Sequence, residues 1–329
     1  MSIKSLIKNT SWIKKIKDRL SFVSQFRYDK KFFRKNYSHS QVTKNKTGYN
    51  MLLISHSLEK GMSNKNPRRF AAAKVAELQK LTKNYQTYGD YEKDFAFINT
   101  INVLRNYVKF YEEKSWTDAE EYKNVSKFLE EFKDIEKMNV GSFILRKSDF
   151  EKDSKIDYAK FLASRHSVRE FQDKKLDEKD LKKAIETAIL SPSACNRQMC
   201  KVYYPTTVEK VREAVKIGQG FGGFEKETIN PIVITFDVNA NYMVGERNQG
   251  WFNAGLFSMN LVNAMHSMGI GTCFCQFGNS VKDEEKLKKI LNIPANERIA
   301  VIIACGYYVE ECTIPYSPRK KLEDIYRKR

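Results

Sequence analysis

The sequence predicts a three-layer domain of the α/β or α+β class. Residues 231–238 and 298–308 are apolar, β-branched runs of strand length, and residues 249–268 form an uncharged, largely apolar helical pattern between them. Strands without a polar face and a helix without a polar face are typical of a sheet covered on both sides. We therefore expect this long helix to be buried in the centre of the domain or in a subunit interface.

The chain contains 329 residues, which suggests two structural units. A polar stretch at 147–156 separates a helical N-terminal region with a basic arm, residues 1–150, from the domain at 151–329. Residues 24–66 are polar and basic, and Gly61, Asn64 and Pro67 predict a turn-rich connection there. Apolar periodicity predicts helices at about 67–86, 92–113, 117–138 and 177–190.

The charge is concentrated at the N-terminus. Lys and Arg number 58 against 40 Asp and Glu, a net charge of +18, and residues 1–50 contain 13 basic and two acidic residues. In residues 3–23, apolar residues recur at near-helical spacing and basic residues lie between them. Such a helix either contacts an anionic membrane surface or docks on its own protein. A nucleic-acid-binding protein would carry basic residues over its body as well, so we expect no nucleic-acid partner.

The sequence contains no run of about 20 apolar residues that could span a bilayer and no secretory signal pattern. All six cysteines lie in the second half, embedded in apolar or helical patterns. This placement indicates reduced thiols, and we expect a cytoplasmic protein, with membrane association at the inner surface as an option. Cys273 and Cys275 form a two-ligand motif without a second pair nearby, so we expect no metal site.

Four segments contain residue types suited to bind an anionic, planar ligand. Arg165, Ser167 and Arg169 could present donors to one phosphate, although basic residues at this spacing on a helix are usually solvated. Residues 191–198 form a Ser- and Pro-rich loop that could face the hydrogen-bonding edge of a heterocycle, or could be an ordinary turn. Residues 269–278 contain glycines that permit a close approach of the main chain to a ligand, or that end a helix. Residues 315–323 could deliver charge to a phosphate, or form a basic surface tail.

The order and spacing of these segments resemble the nitroreductase family of FMN-dependent oxidoreductases. The family's Arg-x-Ser-x-Arg/Lys motif is matched at residues 165–169, and its Asn-x-Gln-Pro loop at residues 191–198, with Met199 in place of proline. Its Gly-Leu-Gly-Thr/Ser-Cys motif is matched at residues 269–273, with Ile270 in place of leucine. The resemblance covers about residues 157–329 and implies an α+β, α/β/α domain with a mostly antiparallel sheet.

The resemblance also implies a bound FMN. Its phosphate and ribityl chain would meet Arg165, Ser167, Arg169, Arg319 and Lys320. His166 lies inside the same motif and either contacts the cofactor or is structural. The flavin ring would meet Pro192, Ser193, Asn196 and Gln198, from the partner subunit of a homodimer, and backbone groups near Cys275, Gln276 and Phe277.

The implied reaction is a ping-pong transfer of electrons from NAD(P)H through FMN to a small-molecule acceptor. No side chain need act as a catalytic acid or nucleophile, because the flavin carries the electrons and the protein binds and orients it. An alternative keeps the same scaffold as a flavin-binding or non-catalytic interaction protein, recruited by its basic N-terminal helix to a membrane surface or an anionic polymer.

Overall fold

A computed structural model describes residues 11–37, 42–64, 67–142, 156–218, 220–221, 224, 229–275, 277–278, 280–312, 319 and 321–329. The α-helices are α1 Ser11–Asn36, α2 Lys44–Met62, α3 Ala72–Gln86, α4 Phe95–Glu113, α5 Glu120–Leu129, α6 Tyr158–Ser164, α7 Glu178–Ile189, α8 Val208–Ile217, α9 Gln249–Ser267, α10 Val281–Leu291 and α11 Leu322–Ile325. The strands are β1 Cys200–Tyr203, β2 Asn230–Asp237, β3 Ile270–Cys275 and β4 Glu297–Tyr307.

The four strands form one antiparallel sheet in the order β1-β2-β4-β3. Ile232 and Ile234 of β2 point into a core shared with α7 and α9, whereas Val233 points into a core shared with α8 and α10. This alternation follows from the two-residue side-chain period of a strand. The predicted α+β, three-layer arrangement is confirmed.

Helix α9 is the central element of one helical layer. Ala254, Leu261 and Val262 are buried against the sheet. Trp251 and Phe252, by contrast, are 42% and 63% exposed on the described chain. The helix therefore combines a core face with an apolar outer face, which accounts for the absence of a polar stripe in its sequence.

The N-terminal region is helical, as predicted, and α2 to α5 enclose a core of their own. Met51, Leu58, Phe97, Ile101 and Tyr107 are fully buried there. Helix α1 packs elsewhere, because Phe32 belongs to the core formed by α7, α9 and the sheet. The division of the chain near residue 150 remains a prediction.

The turn-rich connection expected over residues 24–66 is wrong for most of this range, although Asn64 and Pro67 do lie in a non-helical connection. Helix α1 extends to Asn36, and α2 occupies Lys44–Met62. Thr43 caps α2, because its side chain accepts the backbone N–H of Lys46. Gly61 lies inside the helix, where its missing side chain leaves room for the ring of Phe70. The glycine therefore marks close packing rather than a turn.

Candidate active site

The predicted phosphate-binding residues lie in an extended segment beside strand β3. Helix α6 ends at Ser164, and the backbone N–H of Val168 donates to the carbonyl of Thr272 at 3.0 Å. Ser167 and Thr272 form a parallel bridge. We call residues 165–171 the arginine segment. Its pairing shows that this motif is not a helix surface, which was the alternative that the sequence left open.

The extended conformation brings three side chains of the arginine segment toward one thiol. Residues two apart in an extended chain point to the same side, and Val168, between them, is buried in the core. A hydrogen bond with Cys275, the charge of Arg169, a hydrogen bond with Ser167 and the charge of Arg165 together lower the pKa of the Cys273 thiol, although burial opposes them. Arg165, Ser167 and Arg169 therefore converge near the middle of β3.

Arg165 has an unsatisfied buried donor. Its Nε atom is buried, and no acceptor for it lies among the described residues. Arg169 is partly engaged, because its guanidinium donates to the carbonyl of Ser167 at 3.4 Å and lies 5.9 Å from the ring centre of Phe224. A buried guanidinium N–H without an acceptor is costly, so this position suits an anionic group.

His266, at the end of α9, fixes the start of the arginine segment. Its Nε2 lies 2.8 Å from Ser164 Oγ, and its Nδ1 lies 2.8 Å from the hydroxyl of Tyr308. Burial, then the charges of Arg165 and His166, lower the pKa of His266. His166 itself is exposed. Because both ring nitrogens of His266 have hydrogen-bond partners, its role is structural.

The Ser- and Pro-rich loop, residues 191–198, has an unusual backbone. Cys195, Asn196 and Gln198 have φ values of 50°, 50° and 49°, in the left-handed region that side-chain-bearing residues rarely adopt. Ser193 Oγ accepts the backbone N–H of Gln198 at 3.0 Å. Gln198 Nε2 donates to Asn196 Oδ1 at 3.3 Å. Such strain persists only where surrounding contacts impose it.

Arg197 imposes this conformation, and the sequence analysis did not identify it. Its side chain is 1% exposed, and its two terminal nitrogens donate to the carboxylate of Glu246 at 2.8 and 2.9 Å. Its Nε donates to the carbonyl of Ala194 at 2.9 Å. Burial acts to raise the pKa of Glu246, but Arg197 and the backbone N–H of Tyr242 lower it. The partners are 49 residues apart, so no local pattern indicates the pair.

Helix α9 carries both parts of the site. Asn260 Nδ2 donates to Ser191 Oγ at 2.8 Å, which ties the loop to the middle of α9. His266 ties the arginine segment to the end of the same helix. The two attachment points are about 9 Å apart along the helix axis at 1.5 Å per residue. Within one chain the loop and the arginine segment are thus neighbours on one rigid element.

A cavity of about 480 Å³ lies between the loop and the N-terminal helices. Pro192, Ser193 and Gln198 line it from the loop, and Tyr49 and Phe95 line it from α2 and α4. A larger cavity of about 1070 Å³ lies beside α8. None of the predicted site residues that the structure describes lines the larger cavity, so the smaller one is the more relevant to the site.

The remaining predicted residues are only partly described. Cys275 is buried at the end of β3, and Phe277 is half-buried against the core of α8 and α10. Arg319 is exposed. Gln276 and Lys320 lie outside the described residues. The convergence of Arg319 and Lys320 on the arginine segment therefore stays a prediction.

The two cysteines of β3 are free thiols. The hydrogen bond with Cys273 and burial both raise the pKa of Cys275, so this thiol is protonated at neutral pH. Over the part of the chain that the structure describes, no three His, Cys, Asp or Glu side chains are grouped to hold a metal ion.

Residues in the C-terminal half of the chain are similar to known nitroreductases. The sequence model of the nitroreductase family matches residues 162–221 and 230–307. A Methanothermobacter thermautotrophicus protein, assigned as an NADH dehydrogenase/NAD(P)H nitroreductase, is 23% identical over 157 residues, which are 48% of this chain and 80% of that protein.

Two solved structures are similar to the same half of the chain. A nitroreductase family protein from Streptococcus pneumoniae is 25% identical, with a TM-score of 0.44, and the match covers 53% of this chain and 100% of that one. An FMN-dependent nitroreductase from Clostridium difficile is 22% identical, with a TM-score of 0.43, and the match covers 51% and 98%. The family match contains the arginine segment, the loop and the whole sheet, so the similarity to nitroreductases covers the part of the chain that forms the candidate site.

Proposed function

We propose that this protein is an FMN-dependent oxidoreductase that passes electrons from NAD(P)H through FMN to a small-molecule acceptor in a ping-pong sequence. The observation that carries the proposal is the buried Nε of Arg165, which lacks an acceptor among the described residues. Arg169 and Ser167 lie on the same side of the arginine segment, near Cys273. A phosphate monoester would supply the missing acceptor and match the fork of the guanidinium.

We propose binding roles that combine this placement with the family resemblance. Arg165, Ser167 and Arg169 would hold the phosphate and ribityl chain, with Arg319, Lys320 and His166 beside them. Backbone groups of Cys275, Gln276 and Phe277 would meet the flavin edge. When bound, FMN would supply the electron transfer, and the residues of the chain would orient it and exclude water from it. No side chain is assigned to proton transfer.

We propose a homodimer, with Pro192, Ser193, Asn196 and Gln198 facing the flavin of the partner subunit. The outer face of α9 supports this. The exposed Phe252 and the half-buried Leu256 and Met259 form an apolar row along the helix. Ile189 and Leu190, 51% and 81% exposed, extend the apolar surface at the end of α7. An exposed apolar surface of this kind is typical of a subunit interface.

We propose that the acceptor site borders the cavity behind the loop, where α2 to α4 contribute aromatic side chains. Six free thiols favour a reducing compartment, so we place the enzyme in the cytoplasm. No helix among the described residues is long and apolar enough to cross a membrane. If the protein bound no flavin, as in the alternative of a flavin-less interaction protein, the buried Nε of Arg165 would have no phosphate to act as its acceptor.

Flavin binding by the full chain tests the proposal. The purified protein should bind FMN with one flavin per chain, measured by absorbance and fluorescence quenching. It should also oxidise NAD(P)H with quinone or nitroaromatic acceptors. Arg165→Ala should weaken FMN binding by about tenfold or more, because a charge-assisted hydrogen bond is removed. Arg68→Ala, at an exposed position in the N-terminal region, serves as the matched control and should bind like the wild type.

Wild-type protein that stays colourless with excess FMN would overturn the proposal. FMN binding without any NAD(P)H oxidation would instead support the flavin-binding interaction protein. Equal weakening by both arginine variants would show that the effect is a general loss of positive charge and not a contact of Arg165.

A further inference from the structure

The second half of helix α1 is attached to the C-terminal domain. The Tyr28 hydroxyl donates to Glu285 Oε1 at 2.6 Å, and Arg298 pairs with Asp29 at 2.7 Å. The ring of Phe32 is 9% exposed and lies 5.0 Å from Lys288 Nζ. These contacts with α10 and β4 fix the direction of the helix relative to the domain. The first half of α1 therefore has a defined orientation too.

The first half of α1 exposes a row of large apolar side chains. The exposed fractions lie between 41% and 66% for Trp12, Ile16, Leu20, Phe22, Val23 and Phe26. At about 100° per residue these positions fall within an arc of about 160°. Phe32 lies about 200° around the helix from Trp12, on the opposite side. The helix thus has one apolar face on its own protein and a second apolar face, formed by these six exposed side chains of residues 12–26.

The charge of α1 is strongly positive. Nine basic residues stand against Asp18 and Asp29 in this helix; the basic residues are Lys14, Lys15, Lys17, Arg19, Arg27, Lys30, Lys31, Arg34 and Lys35. Lysine and arginine can extend their charged ends away from an apolar surface on which their stems lie. The face is convex and about 21 Å long at 1.5 Å per residue. An anionic lipid surface accommodates such a convex apolar face and its surrounding cations together.

We infer that residues 12–26 of α1 lie in the plane of an anionic membrane surface, with Trp12, Leu20, Phe22 and Phe26 inserted among the lipid headgroups and acyl chains. The second half of the helix, bound to α10 and β4, then carries the C-terminal domain against that surface. This inference concerns the basic arm and is independent of flavin binding. It also narrows the membrane contact expected from residues 3–23, of which 1–10 lie outside the described residues, to the face of 12–26.

Vesicle binding by the full-length protein tests this inference. The wild type should co-sediment with vesicles that contain phosphatidylglycerol at least about tenfold more tightly than with pure phosphatidylcholine vesicles, and added salt should weaken the binding. The variant Leu20→Glu, Phe22→Glu, Phe26→Glu should lose this binding. These side chains are exposed, so the fold and the FMN absorbance should be unchanged.

The matched control introduces the same three charges at exposed apolar positions outside α1, as Val42→Glu, Val208→Glu, Ile325→Glu. It should bind phosphatidylglycerol vesicles within about threefold of the wild type, because exposed charges farther from the lipid than a Debye length are largely screened. Equal binding of the wild type to both lipids would overturn the inference, as would full binding by the α1 variant. A smaller oligomer for the α1 variant, measured by light scattering without lipid, would overturn it in favour of a contact between two copies of the chain.

Discussion

The arginine segment and the Ser- and Pro-rich loop are positioned by different means. The arginine segment is held by its backbone, through the bridge from Ser167 to Thr272 and the hydrogen bond from Val168 to Thr272. The loop is held by side chains, above all by the pairing of Arg197 with Glu246. The side chains of the arginine segment are therefore left for a ligand, whereas the central side chain of the loop is used to keep its shape.

This difference separates binding from stability along the sequence. A substitution in the arginine segment can remove a donor without disturbing the sheet, because the backbone contacts remain. A substitution of Arg197 removes the contacts that oppose three left-handed residues. We expect stability to be lost at the loop and ligand affinity to be lost at the arginine segment.

Arg197→Ala should cause the largest change. It leaves the carboxylate of Glu246, 21% exposed, without its charged partner, and removal of one partner from a buried pair costs about 3 kcal/mol. The free energy of unfolding, measured by urea denaturation, should fall by that amount. The control Arg247→Ala replaces the exposed residue that follows Glu246. It should change the free energy of unfolding by less than about 0.5 kcal/mol. Similar values for both variants would show that the ion pair does not hold the loop.

Adjacent residues of the arginine segment should respond in opposite ways, because their side chains point to opposite sides of the extended chain. Val168 is 2% exposed and packs in the core beside β3, so Val168→Ala should cost about 2 kcal/mol of stability with unchanged FMN affinity. Ser167→Ala should leave the stability within about 0.5 kcal/mol and weaken FMN binding by up to about tenfold. Denaturation curves and flavin titrations on both variants measure the contrast. A loss of stability for Ser167→Ala, without a loss for Val168→Ala, would contradict the extended geometry.

Ser191→Ala should have a smaller effect on the loop. Ser191 Oγ donates to the carbonyl of Ala188 at 2.7 Å and accepts from Asn260 Nδ2 at 2.8 Å. Its removal deprives the partly buried Asn260 amide of its acceptor, which costs about 1 kcal/mol. Ser267 forms the same type of bond to Ala264 at the end of α9, at an exposed position. Ser267→Ala should therefore cost less, and an equal loss would mean that the link to Asn260 contributes nothing.

The sequence predicts the parts of this molecule that depend on local patterns. The β-branched runs and the stripe of α7 predict the sheet and its helices, because burial follows a period of 2 or 3.6 residues. The motif spacing leads to Arg165, Ser167 and Arg169, which the structure brings together beside Cys273. The motif alone does not separate a phosphate site from a solvated helix surface, because that choice depends on the pairing of residues 167 and 168 with Thr272.

The parts that the sequence did not predict depend on contacts between distant residues. Arg197 and Glu246 are 49 positions apart, and nothing near either residue marks the other. Helix α2 is not predicted from the sequence because Gly61 and Pro67 are typical of turns, whereas Gly61 is required by the ring of Phe70. The placement of α2 against the loop and against the end of β2, where Asn45 donates to Asp237 at 3.4 Å, likewise has no local signal.

The smallest expected effect concerns His266, which joins the arginine segment to α9. Burial, Arg165 and His166 lower its pKa in the folded protein, so below an ordinary histidine pKa of about 6.5 the unfolded chain binds a proton more readily than the folded one. His266 therefore favours folding fully above about pH 6.5, and this contribution is lost as the pH falls toward its lower folded pKa. The unfolding free energy of His266→Gln should decline less between neutral and mildly acidic pH than that of the wild type.

Bound FMN should reduce this pH dependence, because a phosphate beside Arg165 offsets part of the positive charge that lowers the pKa of His266. An NMR titration of the His266 ring, with and without FMN, measures the shift directly, and Arg165→Gln should raise the pKa of His266 in the same direction without flavin. If FMN binds and leaves the titration unchanged, its phosphate lies away from Arg165, and the arginine segment would have to be assigned a different ligand.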